Sequence, residues 1–206
     1  MYVPKPFNVE SFSSLTNYIS SSSFGVLVTS VEGIPYATHL PMSFDPDTGE
    51  MGTLYAHVAR ANDHWKYFDQ TTESLAIFTG VHAYVSPNWM NSANAVPTWN
   101  YVAVHAYGRP KVIEDTDAVL AILERLSNTY ENDATGNWTA DKMDQKILHG
   151  LLKGIVAFEF PVSRLEGKRK MSQNKSPEAQ RSAAEGLRAM ADTPSLAVAR
   201  EMEDPV

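Results

Sequence analysis

The residues with the most chemistry in the least space lie in Gly52-Thr-Leu-Tyr-Ala-His57-Val-Ala-Arg60-Ala-Asn62-Asp-His-Trp65. Leu54, Ala56 and Val58 alternate with Thr53, Tyr55 and His57, a period of two that predicts a strand. The pattern then changes, and Asn62 or Asp63 can cap a short helix carrying Trp65, Tyr67 and Phe68. Such a strand delivers His57, Arg60 and Asn62 to a helix start, where free backbone N–H groups and the positive end of the dipole favour an anion. Arg60 adds a planar fork of donors that suits a phosphate. A phosphate-bearing cofactor is therefore expected here; the plainer alternative is a strand that ends in an ordinary polar turn.

Three further groupings carry possible chemistry. In Ala37-Thr-His-Leu-Pro41 a proline leaves strand-edge amides and carbonyls unpaired. Those groups can read the polar rim of a flat ligand, or the proline can simply guard an edge against aggregation. The run from Phe78 to Trp89, followed by Pro97-Thr-Trp99-Asn100-Tyr101, gathers large aromatics near a loop over 87–97. They suit stacking on a heterocycle, and equally a core or an interface. Gly167-Lys168-Arg169-Lys170-Met-Ser-Gln173-Asn174 places three cations beside two amides, a set able to hold phosphate oxygens or to form a solvated face. The six histidines show no metal-ligand spacing, and neither a nucleophile elbow nor a glycine-rich phosphate loop is present.

The elements that must position these residues follow from patterning. The 206 residues fit one domain, with 43% hydrophobic and 20% charged residues and no cysteine. The net charge of −7 weighs against a general nucleic-acid surface. The N-terminus lacks the build of a signal peptide and no apolar run could span a bilayer, so a soluble cytoplasmic protein is expected. A helix from Asn8 to about Ile19 carries Val9, Phe12, Leu15 and Ile19 on one stripe. Strands are expected over 24–29, 34–44, 52–58, 74–86, 101–113 and 154–160. A helix starts at Asp115 or Thr116, and a shorter one covers 143–148. The stretch 164–175 reads as polar and basic. Helices follow over 181–190 and from Thr193 or Pro194. The expected class is α+β around a barrel-like sheet.

The order of Met1-Tyr-x-Pro, Ala37-Thr-His-Leu-Pro41, Ala56-His-Val-Ala-Arg-Ala-Asn62, Phe78-x-Gly-x-x-Ala-Tyr-Val-Ser-Pro87, Pro97-Thr-Trp-Asn-Tyr101 and Gly167-Lys-x-Lys-x-Ser-Gln-Asn174 resembles the PaiB-type family, described as FMN-binding negative transcriptional regulators. The resemblance runs from the first residue to about Leu187. It implies an antiparallel flavin split barrel of the pyridoxamine-phosphate-oxidase type, spanning 1–175, with the 176–206 tail as a helical appendage of the same domain. It also implies a homodimer that holds FMN in a groove between subunits. On that template Thr38, His39, Leu40 and Pro41 line the edge of the flavin ring, and His57, Arg60 and Asn62 surround the phosphate. Trp99, Lys168, Lys170, Gln173 and Asn174 close the pocket; no residue is marked as catalytic. Four functions stay open: an FMN-binding regulator, an FMN-dependent oxidoreductase using NAD(P)H, a haem-binding split barrel, and a dimer that has lost its cofactor.

Overall fold

The computed structural model describes residues 1–90 and 95–205. The middle of the expected 87–97 loop lies outside them. In chain order the elements are β1 (Asn8–Val9), α1 (Phe12–Ser21), β2 (Phe24–Val31), β3 (Ile34–Pro41), β4 (Ser43–Asp45), β5 (Thr53–Ala59), β6 (Ser74–Val85), β7 (Thr98–Gly108), β8 (Lys111–Ile113), α2 (Thr116–Tyr130), α3 (Gln145–Leu152), β9 (Ile155–Lys170), α4 (Pro177–Met190) and α5 (Thr193–Glu203). All pairings between strands with a defined register are antiparallel. The chain divides into two compact units that interleave along the sequence: Met1–Ser22, Phe78–His105 and Glu166–Val206 form the first, Ser23–Ile77 and Ala106–Leu165 the second.

In the second unit β2 pairs with β3 along its whole length, from Phe24↔Pro41 to Val31↔Ile34, and with β6 from Val26↔Ile77 to Thr29↔Ser74. A second ladder sets β5 between β4 and β9, and β8 also pairs with β9. The alternation in β5 sends Leu54, Ala56 and Val58 into the core, at 4% exposure or less. Tyr55 faces the other way and packs with Val119, Ile122 and Leu126 of α2. Asp115 caps α2 by accepting from the Ala118 amide. The strand expected over 101–113 is interrupted at Arg109-Pro110, because proline has no N–H to give a ladder.

In the first unit α1 is capped by Ser11 rather than Asn8, which instead pairs with Lys168 in the β1–β9 ladder. Leu15, Tyr18 and Ile19 form the buried stripe of α1. The expected polar stretch over 164–175 is a strand as far as Lys170, a correction with a clear cause. Gly167 pairs with Val9 and has no side chain, so Leu15 and Val9 close over its backbone. The tail folds as expected into α4 and α5, packed through Ala183, Ala184, Leu187, Val198 and Ala199, all at 1% exposure or less. Among the described residues no helix is long and apolar enough to cross a membrane.

Candidate functional site

The second unit gathers polar side chains around one buried imidazole. Strand β3 alternates, so Tyr36 and Thr38 share the face of buried Leu40 while Ala37 and His39 are exposed. After β5, Asn62 caps a single 3-10 turn over Asp63–Tyr67, and that turn presses His64 into the protein at 0% exposure. His64 Nδ1 lies 2.8 Å from Thr38 Oγ1, and its Nε2 lies 2.9 Å from Thr29 Oγ1. Thr29 Oγ1 is in turn 2.6 Å from Ser74 Oγ. Asn62 Nδ2 donates to Thr38 Oγ1 at 3.1 Å, while Asn62 Oδ1 accepts from the His64 amide at 3.1 Å and from the Tyr36 hydroxyl at 3.2 Å. The rings of Tyr36 and Phe68 flank the imidazole at 4.8 and 5.4 Å. Burial in that setting disfavours the charged form and pulls the His64 pKa down to about 4. Outside the network lies an open depression of about 460 Å³ lined by Pro35, Tyr36, Ala37, Thr38 and Asn62.

The anion site expected at a helix N-terminus has little dipole to draw on. The helix is five residues of 3-10 geometry, too short to build a macrodipole. Its nearby amides are already engaged: Arg60 N donates to Gly154 O, Asn62 N to Ala59 O, and His64 N to Asn62 Oδ1. The Arg60 fork also has internal work. Nε donates to Lys153 O at 2.7 Å, Nη2 donates to Ile155 O at 2.8 Å, and the guanidinium lies 5.9 Å from the centre of the Trp65 ring. Nη1 is left over and faces no carbonyl among the described bonds. Arg60 and Trp65 line a cavity of about 630 Å³ with His149, Lys153, Ile155 and Ala157.

His57 sits opposite Ala157 in the β5–β9 ladder, with Nδ1 buried and without a hydrogen-bond partner among the described residues; burial holds its pKa below the usual value. His39 is exposed and stacks against Phe24 at 6.4 Å. Leu40 is buried at 3% exposure and belongs to the core, and Pro41 is half-buried at the end of β3. The structure therefore joins Thr38 and Asn62 directly, and places His39, Leu40 and Pro41 on the same strand as Thr38.

The remaining expected residues lie in the first unit and are largely engaged within it. Lys168 is buried at 8% exposure, donates to Tyr2 O at 3.2 Å and lies 5.4 and 5.3 Å from the centres of the Tyr2 and Tyr101 rings. Lys170 donates to Trp99 O at 2.6 Å and to Thr98 Oγ1; burial, then the Lys168 charge, lowers its pKa. Gln173 closes the turn after β9, accepting from Met171 N and donating to Arg169 O, both at 2.6 Å. Asn174 is exposed. Trp99 is 53% exposed and meets His82 and Tyr84 at 6.5 and 6.2 Å.

Sequence reasoning missed His64, Tyr36 and Glu201. A lone histidine two residues past a cap has no signature; only the hydroxyls at Thr29 and Thr38, remote in sequence, give it a role. Glu201 is 5% exposed and accepts from Arg169 Nε and the Tyr18 hydroxyl, both at 2.7 Å, so Arg169 ties α5 to the unit. Among the described residues no three His, Asp or Glu side chains gather as a metal site.

A family model described as "Putative FMN-binding domain" matches residues 1–164. The chain is 37% identical over 176 residues to the Bacillus subtilis protein named Protease synthase and sporulation protein PAI 2, covering 85% of this chain and 84% of that one. Among solved structures it resembles the flavocytochrome Anf3 from Azotobacter vinelandii, with a TM-score of 0.63 at 14% identity over 82% of this chain and 72% of that one. It also resembles the FAD and heme binding protein from Mycobacterium smegmatis, with a TM-score of 0.62 at 16% identity over 79% and 73%. Identities this low speak for the fold alone, and that fold is the α+β antiparallel split barrel.

Proposed function

The chain belongs to the FMN-binding family whose model spans residues 1–164, and from that premise we propose that it holds the FMN phosphate in the depression of Tyr36, Thr38 and Asn62. The observation that carries this reading is the rigid polar cluster behind the depression, with Thr38 and Asn62 locked by a fully buried, neutral His64.

FMN presents three surfaces to a protein: a dianionic phosphate, a polar ring edge and a flat apolar ring system. The residues fit the first. Thr38 brings a hydroxyl, and Asn62 keeps one amide proton beyond the one it gives Thr38, while the Tyr36 hydroxyl spends its proton on Asn62 Oδ1. Arg60 lines the other cavity, with Trp65 and His149, and stands outside this set. The exposed side of β3, with Ala37 and His39, offers backbone polar groups and an imidazole to the ring edge. When bound, FMN supplies hydride and single-electron chemistry, and the protein's part is to hold and tune it.

We assign a regulatory role, the one the resemblance to the PaiB-type family implies, and a homodimeric, cytoplasmic state. The net charge of −7 makes broad electrostatic DNA binding unfavourable, so any DNA contact rests on a local patch. Release of the bound chromophore from purified protein, identified by mass and fluorescence, tests the cofactor. FMN is the expected product, and a folded protein that stays colourless in excess FMN would sink the reading. Sustained NAD(P)H oxidation with an added acceptor would move the assignment from regulator to oxidoreductase. Salt-dependent DNA retention and sedimentation velocity test the regulatory and dimeric parts.

A further inference from the structure

The hydrogen-bond capacities around Thr38 leave two arrangements. A backbone amide cannot accept, so the Asn62 atom 3.1 Å from His64 N must be the oxygen, and the atom facing Thr38 must be the amide nitrogen. Asn62 therefore fills one of the two lone pairs on Thr38 Oγ1. One lone pair and one proton remain, shared between His64 Nδ1 and the open depression. If His64 carries its proton on Nε2, Thr38 must donate to Nδ1, and it shows the depression a lone pair. If the proton is on Nδ1, both lone pairs of Thr38 are filled, and its O–H points to the depression. Both forms are satisfied on the far side. Nε2–H can donate to Thr29, or bare Nε2 can accept from Thr29 while Ser74 donates to Thr29. Burial keeps His64 uncharged at neutral pH, so it must adopt one form or the other.

We infer that His64 is a positioning residue whose tautomer sets whether Thr38 gives the ligand a proton or a lone pair, and that an anionic oxygen in the depression selects the Nδ1–H form. This rests on the reading that the FMN phosphate occupies that depression. The two forms hold the same number of protons. The switch moves one ring proton from Nε2 to Nδ1 by exchange with solvent and turns the Thr29, Thr38 and Ser74 hydroxyls, with no net change of charge. A cationic ligand would be selected against, because it would meet the outward proton of Thr38.

The test is long-range ¹⁵N spectroscopy of the imidazoles in the full-length protein, with His64 assigned by its disappearance in His64→Gln. FMN is titrated in one arm and inorganic phosphate in a second. The expected result is a move of His64 to the Nδ1–H pattern as either ligand saturates, with the other five histidines of the chain as internal references. Thr38→Val should abolish the move and weaken FMN about tenfold, while Thr38→Ser should keep both, as the loss of one charge-assisted hydrogen bond predicts. If FMN binds and His64 stays in the Nε2–H form, the inference is wrong and the FMN reading survives. If the folded protein binds no FMN, that reading fails, and the phosphate arm alone decides: a move to Nδ1–H supports anion selection, and an unmoved His64 at saturating phosphate overturns it.

Discussion

At the scale of single residues, burial decides the state of His64 and bonding decides the state of Arg60. An ordinary histidine titrates near 6.5, and the native one near 4. Between those values the unfolded chain binds a proton that the native protein refuses, so stability must fall as pH drops from 6.5 towards 4. A shift of this size amounts to at most about 3 kcal/mol. Burial lowers His57 as well, which adds loss in the same direction. Urea midpoints at pH 7 and pH 4.5 should differ clearly in the native sequence and less in His64→Gln; an equal pH dependence in both would assign the loss to other groups. Substitution isolates the structural role of Arg60. Only a planar fork reaches both Lys153 O and Ile155 O, so Arg60→Lys and Arg60→Ala should each lose about 1 kcal/mol in chemical unfolding. Arg60 lines the cavity of about 630 Å³ and not the depression, so FMN affinity should stay near the native value in both variants. A marked loss of affinity in Arg60→Ala would move the phosphate to the Arg60 cavity.

At the scale of elements, β9 shows how a strand can hide in a basic segment. A Cβ at residue 167 would overlap the Leu15 Cδ2 methyl and lie 2.9 Å from Val9 Cβ, and Val9 cannot yield without loosening the β1–β9 pairing. Gly167→Ala should therefore cost about 1–3 kcal/mol as overpacking, read as a lower urea midpoint at an unchanged slope. A fully stable variant would show that β1 and α1 move apart freely. The same segment marks the limit of what patterning reveals. Lys168 and Lys170 read as either a phosphate-holding set or a solvated face, yet here tyrosine rings and carbonyls far along the chain enclose them. By contrast β5 and α1 were readable, since a period of two or a helical stripe needs no distant partner to be seen. The family resemblance assigned Thr38 to the ring edge and Asn62 to the phosphate, and the hydrogen bond between them comes from the structure. The missing part was His64, because its role depends on hydroxyls from β2 and β3.

At the scale of the molecule, a ligand held only by the native state must raise the stability of the whole chain by mass action. At one hundred times its dissociation constant, FMN should add about 2.7 kcal/mol. For a chain of 206 residues that corresponds to a rise in melting temperature of roughly 5–10 °C. Riboflavin, which has the ring without the phosphate, distinguishes the contributions. If the Tyr36–Thr38–Asn62 depression supplies most of the grip, riboflavin at the same concentration should raise the melting temperature by less than half as much. Inorganic phosphate in excess should then reduce the FMN effect by competition. Equal shifts with FMN and riboflavin would move the binding energy to the flavin ring, and with it the search to the aromatic surfaces.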